Sequence, residues 1–333
     1  MPPSLTSPNN RLPTGPWART AVLGILIGGL TLAAVELGLR RVGYEASVND
    51  DAQLWALEYR DRPDDAWLTL GSSRIACAFD LDTFEEVTGE PVVQLGISSG
   101  QPIAILTYLN EQGFDGKLIV EVSPYVWFTD NPLIAQQAVL TLQTLHDQER
   151  ALLGGLERRA TRVLQSQLRI LHSETDLFDL AKAVVKRARP VIRQSVRGDR
   201  QRYCWPSRYA LMPDMPMPDE SWAVTERAPK DEASFDEVTV AIQGIMARGG
   251  TVLLFAAPEA GDPRDVHLLS YPESVYAEVL AERTGAPYVN TMTDPTIGAL
   301  AVPDYSHIDA SDAPLFTERL VELYREKGYF LPD

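Results

Sequence analysis

Two short stretches of this chain carry residues able to do nucleophilic chemistry together. The first is Gly71-Ser72-Ser73-Arg74, which follows the apolar run AWLTL at 66–70. A serine on a tight turn after a buried strand can be held exposed. A helix starting behind it would turn backbone N–H groups toward a developing oxyanion. The plainer reading of the same turn is a serine that caps a helix N-terminus. The second stretch is Asp304-Tyr305-Ser306-His307. An Asp three residues before a His can fold back to accept the imidazole Nδ1–H. That fixes the tautomer and leaves Nε2 to take a proton from a hydroxyl. The plainer reading here is a surface loop with a capping Asp. The chain has four histidines. His146, His172 and His267 lack a comparable setting; Asp147 follows His146, but adjacent residues on a helix diverge by about 100°.

The elements that must bring these stretches together are readable from periodicity. Apolar runs rich in Val, Ile and Leu lie at 66–70, 91–95, 117–122 and 251–256, with a weaker one at 286–289. Continuous runs of this length suit strands buried on both faces. Helices are predicted over 78–88, 101–113, 235–248 and 272–284, each closing near a glycine (Gly89, Gly113, Gly249, Gly285), with a last helix over 313–327. Strand and helix in alternation predict an α/β fold with a parallel sheet between helical layers. In such sheets ligands bind beyond the carboxyl ends of the strands, where the Gly-Ser-Ser, Gly-Ile-Ser-Ser-Gly and Ser-Pro segments fall. Residues 130–234 interrupt the alternation and are expected to form a mostly helical insert or cap, ending in a Pro-rich irregular stretch over about 203–233.

The pairing of a Gly-Ser-Ser turn after the first strand with D-x-x-H before the closing helix resembles the SGNH or GDSL-type hydrolases. The resemblance implies a flavodoxin-like three-layer α/β/α sandwich made of residues 66–129 and 235–333. It implies Ser73 as nucleophile, His307 as base and Asp304 as its orienter, with Ser72 where the family more often has Asp. LGISSG resembles the second block of the family, with Gly96 as backbone oxyanion donor, and DYSHIDASDAPLFTERL resembles the last. One departure is plain. The family's third block uses an Asn after the third strand, and EVSPYVW has none. Ser123 is nearest and could donate through its hydroxyl, with Gln101 or Asn290 as substitutes; a lost oxyanion donor costs about 10²–10³ in rate. Gln101 is also a candidate for binding substrate. Arg74 is either an anchor for an anionic substrate or the partner of an acidic neighbour.

The N-terminus bears on compartment. Residues 21–39 (AVLGILIGGLTLAAVELGL) hold one charge, Glu36, and as a helix rising ~1.5 Å per residue nearly match a hydrocarbon core of roughly 30 Å. The expected organisation is a disordered cytoplasmic tail at 1–16, a transmembrane anchor at 17–41 and a stalk at 42–65. A retained signal-anchor with the body outside the cytoplasm is the main reading. A signal peptide cleaved after Ala33 and a buried helix of a soluble protein are the others. An anchor ending in ELGLRRVGY and followed by GSSR resembles the membrane-anchored branch of the family in bacterial envelopes. That implies a single-pass protein of the inner membrane with its body in the periplasm.

Charge and composition narrow the partners. The formal net charge is -16, which argues against nucleic acid. No G-x-G-x-x-G or P-loop is present, so a nucleotide or flavin reading has no support, and no cofactor is expected. Cys77 and Cys204 have no metal-ligand spacing, and no metal is expected. The pair is left open between one disulfide and two buried thiols. Within the insert, Lys182, Lys186, Arg189, Arg193, Arg197 and Arg200 follow spacings of 4, 3, 4, 4 and 3, one face of a helix broken at Pro190. This is either a face paired with the protein's own acids or an anionic-surface site for phospholipid headgroups or an acidic glycan. The function expected from the residues and the resemblance is a serine-dependent esterase or O-acyltransferase of the acetyl ester class. Its substrate would be an acylated envelope or secreted glycan, or a small ester. The alternative is a catalytically weak or inactive envelope scaffold or glycan-binding protein on the same fold.

Overall fold

The computed structural model describes residues 17–128, 132–150, 154–172, 192–211 and 232–330. The predicted tail at 1–16 lies outside them. The chain divides into two compact units, Met1–Glu45 and Ala46–Asp333. In the first, one helix, α1 (Trp17–Arg41, 25 residues), is long and apolar enough to cross a membrane. Leu23, Ile25 and Leu30 on its surface are exposed.

The second unit opens with α2 (Ala52–Asp61), where a stalk was expected. Asp51 caps it, accepting from Leu54 N–H at 2.9 Å. Leu54, Trp55, Ala56, Leu57 and Tyr59 are buried, and Trp55 Nε1 donates to Leu95 O at 2.9 Å. Residues 52–61 are therefore part of the folded body, because acidic flanks surround a segment whose apolar side chains go inward.

Then come β1 (Trp67–Leu70), α3 (Ser73–Ala78), α4 (Leu81–Thr88), β2 (Val92–Gln94), α5 (Ile103–Glu111), β3 (Lys117–Glu121) and α6 (Pro124–Trp127). The helix predicted over 78–88 is α4, which starts only at Leu81 because Asp80 caps it, accepting from Thr83 N–H at 2.8 Å; the short α3 before it was not predicted. The insert holds α7 (Pro132–Arg150), α8 (Gly154–Gln167) and an antiparallel hairpin of β4 (Gln194–Val196) and β5 (Arg202–Cys204). The remainder is α9 (Glu232–Ala247), β6 (Thr251–Ala256), α10 (Gly261–Ser270), α11 (Ala277–Thr284), β7 (Tyr288–Asn290) and α12 (Ala313–Arg325).

Five strands form one parallel sheet in the order β2-β1-β3-β6-β7. Alternation along the strands splits the core in two. Leu68, Leu118, Val120, Val252 and Leu254 face the layer of α2, α5 and α9. Trp67, Ile119, Leu253, Phe255 and Val289 face α3, α4 and α12. This is the flavodoxin-like three-layer α/β/α sandwich that was expected. On α12, Phe316, Leu320, Val321 and Tyr324 share one buried face, and Tyr324 Oη donates to Leu254 O at 2.7 Å. Chain order reverses between β1 and β3, so the turn after β1 sits at the topological switch point.

The described residues of the insert hold two α-helices and a hairpin, in separate places. Helices α7 and α8 pack on α2. Gln148 Nε2 donates to Gln53 O at 3.3 Å, and Arg159 pairs with Asp61 at 2.6 Å. The β4–β5 hairpin lies elsewhere, bonded through Cys77–Cys204 to α3.

Candidate active site

The turn after β1 is shaped by a buried carboxylate. Glu121, at the end of β3, is fully buried and accepts Ser72 N–H at 2.7 Å. A Cβ at residue 71 would stand 2.6 Å from Glu121 Oε2, so only glycine lets the chain pass here. Ser72 Oγ accepts Arg74 N–H at 3.2 Å and is the N-cap of α3. Capping thus falls to Ser72, and Ser73, the first helical residue, keeps its hydroxyl for another partner.

That partner is His307. Its Nε2 lies 2.9 Å from Ser73 Oγ, and its Nδ1 lies 2.8 Å from Asp304 Oδ2. Asp304 Oδ1 accepts the backbone N–H of His307 at 2.7 Å and of Ser306 at 3.1 Å. The loop closes this tightly because Tyr305 adopts φ of 67°. Burial alone would push the Asp304 carboxyl up. The hydrogen bond and charge of His307 and the two backbone N–H groups outweigh it and hold the carboxyl below its ordinary value. Asp304 is therefore an anion placed to orient and stabilise an imidazolium.

The three groups open on a cavity of about 290 Å³. Ser98 and Ser99 of the loop after β2 line one side; Arg193, Gln194, Arg202, Trp205 and Pro206 of the hairpin line another. The Cys77–Cys204 disulfide forms part of the wall, one turn along α3 from Ser73. Sequence reasoning passed over Ser98, Trp205 and the hairpin. The serine pair inside LGISSG was visible, but nothing in the chain marked residues 193–206 as neighbours of residue 73. Among the described residues α7 and α8 do not line the cavity.

Gly96, Ser123, Arg74, Gln101 and Asn290 do not line that cavity. Gly96 N–H donates to Gln94 Oε1 at 2.8 Å, so it is not available to an oxyanion. Ser123 is buried, donates to Glu121 and accepts from Arg74 Nη1 at 3.3 Å; it does not line the cavity. Arg74 is 3% exposed and pairs with Glu259, which is the structural alternative and not the substrate anchor. Gln101 is buried, its amide nitrogen turned to Val126 O at 3.2 Å and Trp127 O at 2.7 Å, where it organises α6. Asn290 Nδ2 donates to Glu273. The backbone N–H groups of Ser73, Ser98 and Ser99 donate to no acceptor among the described residues.

Of the basic stripe, Lys182, Lys186 and Arg189 lie outside the described residues. Arg193, Arg197 and Arg200 do not share a helix face, because 194–196 is a strand. Arg197 bonds Asp82 at 2.8 Å and Asp199 at 2.7 Å. Arg200, 3% exposed, bonds Asp50 at 2.6 Å, and Arg202 pairs with the same carboxylate. Burial would raise the Asp50 carboxyl, but the two guanidinium groups hold it below its ordinary value. Arg200 and Arg202 thus pin the hairpin to the segment before α2, and Arg197 ties it to α4. Among the described residues no cluster suited to a metal ion occurs.

No family model matches the chain, and no curated protein does. Among solved structures, one match is the psychrotrophic esterase EstA from Pseudoalteromonas sp. inhibited by monoethylphosphonate. It has 13% identity and a TM-score of 0.33, and the match covers 79% of this chain and 97% of that one. At that identity and score the likeness assigns neither family nor activity.

Proposed function

We propose that this protein is a serine-dependent esterase or O-acyltransferase of the acetyl ester class, with Ser73, His307 and Asp304 as its catalytic residues. One observation carries the reading: a hydroxyl, an imidazole and a carboxylate in series at 2.9 and 2.8 Å, opening on a cavity. In the reaction, Ser73 Oγ attacks the ester carbonyl while His307 Nε2 takes its proton. The tetrahedral intermediate collapses, the alkoxide leaves with that proton, and an acyl-serine remains. Water or an acceptor hydroxyl then gives its proton to His307 and takes the acyl group, restoring Ser73. The N–H of Ser73, with that of Ser98 or Ser99, would hold the oxyanion in place of Gly96 and Ser123.

Cavity size and lining support a short acyl group. Among the described residues, serines, arginines and a glutamine alternate with Trp205, Pro206 and the disulfide around a space of about 290 Å³, which suits a short acyl group. Acceptor choice then separates hydrolysis from transfer to a glycan hydroxyl, and the helices of the insert, lying on α2, lend transfer no support. A body in the periplasm, anchored in the inner membrane by α1, fits both the apolar helix and the disulfide, since such bonds persist in oxidising compartments.

A second reading has its own support. Both expected oxyanion donors are engaged elsewhere, as a scaffold that had lost efficient chemistry would show. A serine-reactive fluorophosphonate probe separates the two. The wild-type protein should be labelled, Ser72→Ala should still be labelled, and Ser73→Ala should not. A folded wild-type protein that takes no label would leave the scaffold standing.

A further inference from the structure

We propose that Arg74 is a positioning residue, a buried guanidinium that sets His307 against Ser73 by holding Ser306. The proposal rests on Ser73 being the nucleophile. Arg74 is adjacent to Ser73 in the chain, and Ser306 lies between Asp304 and His307. Arg74 Nε donates to Ser306 Oγ at 3.1 Å. Ser306 thus faces both ways: its backbone N–H goes to Asp304 Oδ1 at 3.1 Å and its hydroxyl is held from the nucleophile's own helix. The two reactive segments, 234 residues apart at Ser73 and His307, share this side-chain link besides the reacting pair itself.

The guanidinium is itself held from several sides. Nη1 reaches Ser123 Oγ at 3.3 Å and pairs with Glu259. The plane lies 4.7 Å from the Tyr125 ring. Glu259 in turn holds His267 Nδ1 at 2.9 Å, and the His267 ring stacks on Tyr125 at 3.7 Å. Four segments meet on one side chain: α3, the β3–α6 junction, the loop after β6, and the loop before α12. Burying a charged pair is costly, and an apolar side chain of similar volume would often serve stability as well or better. A planar group with five fixed donors gives what an apolar one cannot, which is direction. Catalysis needs that direction, because a misplacement of about 1 Å between reacting groups can cost ~10²-fold in rate.

The test uses Ser306→Ala, Arg74→Lys and the double variant in the full-length protein, with a short-chain chromogenic ester and thermal melts. Ser306→Ala removes the link and leaves the ion pair. Its kcat should fall about tenfold with KM near wild type, and its melting temperature should hardly move. Arg74→Lys keeps the charge but not the fork, and should lose about 10²-fold. The double variant should lose no more than Arg74→Lys alone, since both changes cut one link. Additive losses, or a lowered melting temperature with kcat unchanged, would overturn the proposal. Exchange of the His307 Nδ1 proton with water, followed by NMR, reads the same link without turnover. It should quicken in Ser306→Ala; an unchanged rate would also overturn the proposal. If the wild-type protein neither takes the fluorophosphonate nor turns over ester, the enzyme reading falls, and the proton exchange alone decides whether Arg74 positions the loop.

Discussion

Among the described residues, the imidazoles of His307 and His267 each meet a carboxylate at hydrogen-bond distance, and their surroundings differ. His307 has Asp304 at 2.8 Å on one nitrogen and the Ser73 hydroxyl at 2.9 Å on the other, beside a cavity of about 290 Å³. His267 has Glu259 at 2.9 Å, a tyrosine ring stacked on its face, and a cavity of about 30 Å³, room for water and little else. Glu259 is shared with Arg74, whereas Asp304 is given wholly to its own loop. A carboxylate–imidazole pair is thus not a catalytic signature by itself. What decides is whether the second nitrogen faces a nucleophile in a space that admits substrate.

The sharpest way to break that comparison is to delete each ring. His307→Ala should lower kcat on a short-chain ester by about 10⁴-fold or more. His267→Ala should lower kcat by no more than about tenfold, through Glu259 and Arg74, and show itself mainly in the thermal melt, because it strips a buried carboxylate of one partner, a loss of about 1–3 kcal/mol. Equal losses of kcat would mean that the two pairs act as one unit. Asp304→Asn is next. It keeps the shape but supplies an amide where the ring nitrogen needs an acceptor, and kcat should drop by about 10³–10⁴ at nearly unchanged KM.

Much of this contrast was legible in the chain, and its limits have physical reasons. Strands at 67–70, 117–121 and 251–256 announce themselves because both faces are buried and the runs are unbroken. Ser73, Asp304 and His307 stand out because the alternation puts the Gly-Ser-Ser turn beyond a strand end and the Asp-x-x-His spacing lies just before the closing helix. His267 and Glu259 did not stand out, since eight residues separate them and their pairing depends on how the loop after β6 enters α10. The basic spacing at 193–200 looked helical because arginines there answer to acids far away in sequence, Asp50 and Asp82. Gly96 was read as a donor, yet Gln94, two residues earlier, takes its N–H. The state of the two cysteines needed coordinates, because a separation of 127 residues says nothing about distance.

Removing the disulfide sharpens the comparison from the other direction, by loosening only the cavity beside His307. Cys204→Ser frees the hairpin from α3 and opens a loop whose closure is worth about 4–5 kcal/mol in the chain-entropy model. Stability by urea titration should fall by an amount of that order. KM should rise as the wall of Arg193, Gln194 and Trp205 moves, with kcat less affected, because Ser73, His307 and Asp304 are held by other bonds. A loss confined to kcat would mean that the disulfide acts on the nucleophile and not on the cavity.

The smallest effect separates the two regions by the sign of a pH slope. Asp304 is depressed below its ordinary value near 3.8, because hydrogen bonds and the His307 charge overcome burial. Its unfolded form therefore binds the proton more readily, so it contributes stability that is present above about pH 4 and lost as pH falls through the folded value. Glu273, on the wall of the small cavity beside His267, is the opposite case. Burial raises it above its ordinary value near 4.5, despite the bond from Asn290. Its folded form holds the proton more tightly, so its contribution is most favourable in acid and declines as pH rises from about 4.5 through the raised folded value. Asp304→Asn should flatten the acid limb of stability against pH, and Glu273→Gln should flatten the limb just above it. The measurement is a set of urea midpoints between about pH 3 and pH 7. Slopes of the same sign for both variants would show that the two regions do not differ electrostatically in the way that hydrogen bonding at Asp304 and burial at Glu273 require.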